Sequence, residues 1–434
     1  MKKLLAISLA AAAFAALHAA EETRNKGGIM AETGALKADF GSGTVTFGGQ
    51  SVKLTPPPVR EVKAERHGKM PEYNPKASPW RSGLRLRKAV AWECSWPGAL
   101  LPGSVKVFTD KGEMVKNKDF RVNETWGTVG RLPGGRIGAD EPVRIAYRHC
   151  PSRIDSVILL NGELSLITGT EGIARPAIPK LPEGARLLAN IYWTGKCEKF
   201  SDRNYFPVTE TGFPAEFFRP GKALPVRTLA KLRAGQRVRI VAWGDSVTAG
   251  SYLPEKDRWQ HQFLAALRRK YPKAQIELIS EGWGGRTTSN FFAVPPGKPH
   301  NFAEKVLANK PDLVISEFIN DVSLPDEKLR ENYTRAWKEF AKIGAEWVIL
   351  TPHYSSSRSM GFKMAKNCDD DPRRFVKFLR KFAEEKQIPL ADASRFWGRL
   401  YRQGIPYDAL FYNGINHPDA FGMSLFVEAL MRIF

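Results

Sequence analysis

Beyond its first twenty residues the chain has no apolar run of the roughly eighteen or more residues that a membrane-spanning helix needs. A helical membrane protein is therefore excluded. There is no internal repeat and no low-complexity tract apart from an alanine-rich start, which excludes solenoid and array architectures. Cysteine is scarce: Cys94, Cys150, Cys197 and Cys368 are the whole set, and they allow three complete pairings among which spacing does not choose. Three of them lie in the N-terminal half, so at least one is free or bonded across the two halves. Acidic residues are in deficit, 45 against 66 Lys and Arg, giving a formal charge of +21. Apolar residues are not; at 43% they exclude disorder and fibrous folds, and 434 residues suffice for two domains with cores of their own.

The start of the chain points to export. Lys2 and Lys3 precede an apolar stretch from Leu4 to Leu17 and small residues to Ala20, the pattern of a secretory signal peptide cleaved after Ala19 or Ala20. Residues 1–20 are read as that signal, and the remainder as secreted or periplasmic. No cysteine stands at the cleavage region, which argues against a lipid anchor. Removing Lys2 and Lys3 takes the formal charge from +21 to +19. Such a balance suits a polyanionic neighbour: acidic or sulfated polysaccharide, cell envelope or nucleic acid. Export makes nucleic acid the least suitable of these.

Two halves differ in their periodicity. From 21 to about 225 the pattern alternates with period two: Val45 and Phe47, then Gly48-Gly49, then Val52 and Leu54; Val105 and Val107 before a turn at Asp110–Gly112; Val143, Ile145 and Tyr147. Val157–Leu160 leads through Asn161-Gly162 into Leu164 and Leu166, and Asn-Gly is the strongest short hairpin signal. This half reads as an antiparallel β-sandwich-like domain. From 226 to 434, short buried strands at Val238–Ala242, Ile276–Ile279, Leu313–Ser316 and Trp347–Leu350 alternate with helical stretches at Trp259–Lys270, Asn301–Asn309 and Asp326–Ile343. Further helical spacing follows at Arg374–Glu385 and Ala420–Ile433. Strict alternation predicts a parallel sheet between two helix layers, a three-layer α/β/α domain.

Chemistry-bearing residues fall at the ends of those strands. Val238–Gly250 runs an apolar strand into Gly244-Asp245-Ser246, placing a serine hydroxyl where open α/β folds put their ligands. The tripeptide alone is expected by chance roughly one time in ten in a chain this long. Three more stretches follow in order. Ile279–Thr288 is a glycine-bearing loop through which backbone N–H groups can approach a substrate oxygen. Asp312–Phe318 ends in Ile319-Asn320-Asp321, and near the C-terminus stands Asn416-His417-Pro418, with proline suited to a helix start.

Serine, glycine, asparagine and histidine in that order resemble the SGNH, or GDSL-type, hydrolases over about residues 238–434. The resemblance implies a flavodoxin-like fold and a serine esterase needing no cofactor and no metal. Carried over by position, Ser246 is the nucleophile and its own N–H one oxyanion donor, with Gly285 N–H and the Asn320 amide as the others. His417 is the general base. Each preorganised donor contributes roughly 3 kcal/mol to the acylation transition state. Two departures stand out. Phe318 occupies the usual glycine position of the third block, which sets a bulkier wall against the substrate. The usual Asp three residues before the histidine is absent, since that position is Gly414. The imidazole orienter is then Asp408, Asn413, Asn416, a water or a backbone carbonyl, with Asp408 preferred.

Other polar residues have plainer readings. Asp245 and Asp321 are expected to bind loop backbone, and Thr248 competes with Ser246 as a helix N-cap. Asp369-Asp370-Asp371 reads as helix-start charge rather than a metal cluster. Trp283 offers its face either to a sugar ring or to the core, and Arg286 reads as solvated surface. His353, after the fourth strand, is a candidate for the cleft wall. The whole predicts an exported esterase of short acyl esters, acetyl above all, acting on an acylated, anionic polysaccharide. The alternatives are a lipase or thioesterase of the same type, or a carbohydrate-binding protein whose hydrolase half is inactive.

Overall fold

The computed structural model describes residues 36–194, 199–215, 221, 223–362, 366 and 370–434. The expected signal peptide at 1–20, Cys197, Cys368 and Asp369 lie outside the described residues.

The N-terminal region is built from antiparallel strands. Thr44–Phe47 pairs with Gln50–Lys53 across Gly48-Gly49, and Arg153–Leu160 pairs with Glu163–Ile167 across Asn161-Gly162. All four loop residues have positive φ (56° and 78°; 53° and 83°), the backbone that a two-residue hairpin requires. Strands Arg60–His67, Val143–His149, Lys106–Thr109 and Gly112–Glu113 form a second sheet, and Phe120–Asn123, Thr128–Arg131 and Leu84–Arg85 a third. Strands Arg186–Trp193 and Tyr205–Pro207 extend the Asn161-Gly162 hairpin to four strands. Lys37–Asp39 adds a third strand to the Gly48-Gly49 hairpin, and a minimal hairpin, Val90–Ala91 with Cys94–Ser95, completes the set among the described residues.

The C-terminal region is a five-stranded parallel sheet. Its strands are β1 (Arg237–Gly244), β2 (Gln275–Gly282), β3 (Leu313–Glu317), β4 (Glu346–Leu350) and the two-residue β5 (Leu390–Ala391), in the order β2-β1-β3-β4-β5. Helices α1 (Val226–Arg233), α2 (Ser246–Ala249), α3 (Trp259–Lys270), α4 (Thr288–Ala293), α5 (Phe302–Lys305), α6 (Asp326–Lys342), α7 (Arg374–Lys386), α8 (Ala393–Arg399) and α9 (Ala420–Met431) cover both faces. Successive residues of β1 point to opposite faces, and both are buried: Ile240 and Ala242 join one core, Val241 and Trp243 the other. Helix α7 buries Phe375, Val376, Leu379, Phe382 and Ala383, the i, i+4, i+7 stripe that seats it on the sheet. The expected Asn301–Asn309 helix is instead α5 and a separate 3₁₀ turn at Leu307–Asn309, with Val306 (φ −112°, ψ −60°) at the junction. Strand β5 and helix α1 escaped the periodicity reading, being short.

One core runs through both regions. Ile154, Tyr192 and Phe206 of the N-terminal strands pack in a single buried cluster with Leu229, Val238, Trp397, Leu400 and Tyr407. Polar contacts reinforce it: Asn190 Nδ2 donates to Gly404 O at 2.7 Å, and Thr209 N to Arg402 O at 2.6 Å. No helix among the described residues is long and apolar enough to cross a membrane.

Trp243 is the centre of the second core, with the rings of Phe291, Phe292, Phe302, Phe318 and Phe340 within 6.0 Å. Trp243→Ala is expected to lower unfolding free energy by about 3–5 kcal/mol, checked by denaturant titration.

Candidate active site

Ser246 is the first residue of α2, immediately after the end of β1. A side chain at Gly244 would overlap Thr248 and the Glu317 carbonyl, and one at Gly282 would overlap the Ala249 backbone. These glycines therefore let β1, β2 and the serine turn close on one another. The helix is capped by Asp245, whose Oδ1 accepts from Val247 N at 3.1 Å, so Thr248 is not the cap. The other carboxylate oxygen, Oδ2, accepts from Asn320 N at 2.8 Å. One buried carboxyl thus holds the serine turn and the Asn320 turn together. Burial pushes the Asp245 and Glu317 carboxyls up, and for Glu317 repulsion from Asp245 adds to it.

His417 lies on a loop between Phe411 and Pro418, which bridge to one another. Its Nε2 is 3.1 Å from Ser246 Oγ. The loop is held by Asn413, whose Oδ1 accepts from the backbone N–H groups of Ile415, Asn416 and His417 at 2.9, 2.9 and 3.1 Å. The imidazole stacks on Tyr252 at 4.5 Å and 4°. Tyr252 in turn packs on Tyr412, over which Arg175 of the N-terminal region sits at 3.4 Å. Below the loop, the buried His353 donates from Nε2 to Asn416 O at 2.8 Å. Burial pushes its imidazolium form well down, so His353 is a neutral prop of the loop and does not line an open cleft. Pro418 precedes the N-cap Asp419 of α9 rather than opening the helix.

Asn320 opens the turn after β3. Its side-chain Nδ2 is buried and has no hydrogen-bond partner in the protein, a donor left over for an incoming oxygen. In the loop after β2, Arg286 N bonds Trp283 O at 3.3 Å, closing a turn in which Gly285 has φ +70°, a backbone that favours glycine. Of Gly284 and Gly285, it is Gly284 that faces Ser246: a Cβ there would stand 3.9 Å from Ser246 Cβ, whereas one at Gly285 would meet nothing within 4 Å. Trp283 stacks on His300 at 4.7 Å, lies edge-on to Phe291, and carries the Arg286 guanidinium at 5.0 Å. Its ring frames the loop. Phe318 is turned into the aromatic core beside Trp243 and Phe291, away from the serine, so the expected bulky wall does not form.

The structure does not bring Asp408 to His417. Its carboxylate accepts from Ser357 N at 2.8 Å and from Ser357 Oγ, so it fastens a different loop. The carboxylate at the imidazole is that of Glu93, from the N-terminal region: Oε1 lies 2.9 Å from His417 Nδ1. The contact is at ion-pair distance, and Nδ1 has no other partner among the described residues. The same oxygen accepts from Asn413 Nδ2 at 3.1 Å. No spacing in the sequence pointed to Glu93. Asp321 accepts from Thr288 N and Oγ1, each at 2.9 Å, as expected of a backbone binder. The buried Asp371 pairs with the half-buried Arg373 and makes no cap bond to α7. Among the described residues no group of three or more His, Cys, Asp and Glu side chains is placed to hold a metal ion.

Comparison with known proteins matches residues 242–425 to the GDSL-like Lipase/Acylhydrolase family. No curated protein matches the chain. Among solved structures it is similar to a two-domain esterase active on acetylated mannans, at 18% identity over 50% of this chain and 53% of that one, TM-score 0.41. A mutant acetyl-xylooligosaccharide esterase of Geobacillus stearothermophilus is 19% identical over 45% of this chain and 93% of its own, TM-score 0.37. An α/β hydrolase from the metagenome of Lake Arreo, Spain, is 19% identical over 45% and 93%, TM-score 0.36. The chain spans about half the length of the first of these.

Burial pushes the Asp408 carboxyl up to about 6, against hydrogen bonds from Ser357 that pull it down. Folding thus favours its neutral form, a contribution present below the ordinary carboxylate range and lost as pH rises through about 6. Asp408→Asn is expected to leave ester turnover close to wild type and to reduce the loss of stability between pH 4 and 6, measured by thermal unfolding across that range. A strong loss of turnover would return the orienting role to Asp408.

Proposed function

We infer that the protein is an exported serine esterase that removes short acyl groups, chiefly acetyl, from polysaccharide, a reading supported by the match of residues 242–425 to the GDSL-like Lipase/Acylhydrolase family and by the site those residues build. The observation that carries this reading is the Ser246 hydroxyl 3.1 Å from His417 Nε2, with the unpartnered Asn320 amide on the adjoining strand end.

In the proposed reaction Ser246 Oγ attacks the ester carbonyl carbon while His417 Nε2 takes the serine proton. The carbonyl oxygen becomes an oxyanion met by Ser246 N–H, the glycine loop and Asn320 Nδ2. Collapse breaks the bond to the sugar oxygen, which leaves with the proton from His417, and the acyl group stays on Ser246. Water then attacks the acyl-enzyme, again giving its proton to His417, and the carboxylic acid is released as the serine is restored. No step needs a metal or cofactor from this set of residues.

The polysaccharide part of the reading rests on three features: the amino-terminal export pattern, a basic balance of charge, and an exposed indole next to the site. Trp92 is 55% exposed and directly precedes Glu93. It is the open aromatic face that Trp283, occupied by His300 and Arg286, is not. A sugar ring stacked on it would be held without restricting which hydroxyl is acylated.

Ser246→Ala is expected to abolish release of acetate from acetylated glycans and of the chromophore from an activated acetyl ester. Asn320→Ala is expected to lower kcat by roughly 10²–10³. A preference for long-chain esters over acetyl would favour the lipase reading, and equal turnover by Ser246→Ala would exclude catalysis at this site. Trp92→Ala is expected to raise KM for polymeric substrate about fivefold, equivalent to about 1 kcal/mol of stacking, and to leave small esters unaffected.

A further inference from the structure

The geometry points to a positioning residue that the hydrolase half does not contain: we propose that Glu93, on a hairpin of the N-terminal region, orients and charge-balances His417, so that the site is complete only when the two halves are docked. This deepens the esterase reading and rests on it.

The place where the resemblance puts an aspartate is closed in this protein. Gly414 has φ +68°, a backbone that disfavours any side chain, and a Cβ there would stand 2.9 Å from Trp96 Cε3 and 3.2 Å from Pro97 Cδ. Those rings belong to the N-terminal region. The segment that excludes an acid at 414 therefore carries one of its own, three residues before Trp96, and delivers it to the same imidazole nitrogen.

The delivery is built rather than incidental. Val90 pairs with Ser95 and Ala91 with Cys94, leaving Trp92 and Glu93 as the turn. Arg85 Nη1 fastens that turn by donating to Trp92 O at 3.1 Å and Cys94 O at 3.3 Å. Trp92 has φ +53°, left-handed backbone that a non-glycine residue keeps only where its surroundings hold it. Ala91, Cys94 and Trp96 are buried beneath, which anchors the hairpin in the N-terminal core. On the other side, Asn413 both shapes the His417 loop and donates to Glu93, so loop and carboxylate are registered by one amide.

The electrostatics agree. Contact with His417 holds the Glu93 carboxyl below the usual range, against partial burial, with help from Asn413 and the nearby Arg81. Around the imidazole the other titratable groups are Tyr252, stacked on it, and the buried Asp245 and His353. Tyr252 is held neutral and His353 is neutral, and Asp245 is tied to backbone N–H groups. Glu93 is the carboxylate within ion-pair distance of Nδ1. When Nε2 takes the serine proton, the anion at Nδ1 stabilises the imidazolium and fixes the tautomer, itself remaining ionised.

The test uses the full chain with Glu93→Gln, an isosteric neutral replacement. On an activated acetyl ester kcat is expected to fall on the order of 10³–10⁴-fold with little change in KM, thermal unfolding remaining as in wild type. Independently of activity, nitrogen-15 histidine NMR should show an exchange-protected Nδ1–H for His417 in wild type and its loss in Glu93→Gln. Wild-type kcat in Glu93→Gln, or an unchanged His417 signal, would overturn the proposal. Turnover by Ser246→Ala equal to wild type would overturn the esterase reading, while the NMR signature would still decide the role of Glu93.

Discussion

The position of every reacting group depends on one apolar core shared by the two halves of the chain. Ile154, Tyr192 and Phe206 are buried together with the residues that carry β1 and the loops around α8, so the β region is packed on the hydrolase region rather than tethered to it. Burying such side chains yields about 1.5–3 kcal/mol each relative to exposure, while the hairpin that bears Glu93 is seated through Ala91 and Trp96 in a separate core of the N-terminal region. A shift of an ångström at this interface would separate a carboxylate from an imidazole 2.9 Å away.

Within the hydrolase half, the corresponding constraint is a single carboxyl. Asp245 places both oxygens on backbone N–H groups, one in the serine turn and one at Asn320, and so sets the distance between Ser246 and Asn320. Its burial would be costly for an unsupported charge. Two N–H donors and the nearby neutral groups make it tolerable. Asp321 does similar work one turn further on, joining the glycine loop to the asparagine turn through Thr288. The loops that contribute substrate contacts are therefore braced from beneath by buried acids.

Much of this was legible in the sequence, and the limits are physical. Strands β1 to β4 and helices α3, α6 and α7 were readable because both faces of the sheet are covered, giving unbroken apolar runs and clean helical stripes. The hairpins at Gly48-Gly49 and Asn161-Gly162 were readable because only those residues take the required backbone readily. That Ser246 and His417 come together was legible from their order and position. The carboxylate beside the imidazole was not: Asp408 is close to His417 in sequence and bonded elsewhere, while Glu93 comes from another sheet system and no local pattern marks it. Phe318 was misread for a related reason, since a residue type at a strand end does not say which face it takes.

The contact between Glu93 and Asn413, 320 residues apart, gives the protein an internal record of its own assembly. Contacts so remote in the chain form late, after the segments between them have found their places. Serine and oxyanion donors come together within the hydrolase half, yet the imidazole receives its carboxylate only once the first half has folded and docked. On the proposed reading, hydrolytic power would then be a property of the finished molecule. A partly folded or clipped copy, though it carried serine and histidine, would lack the group that aligns them.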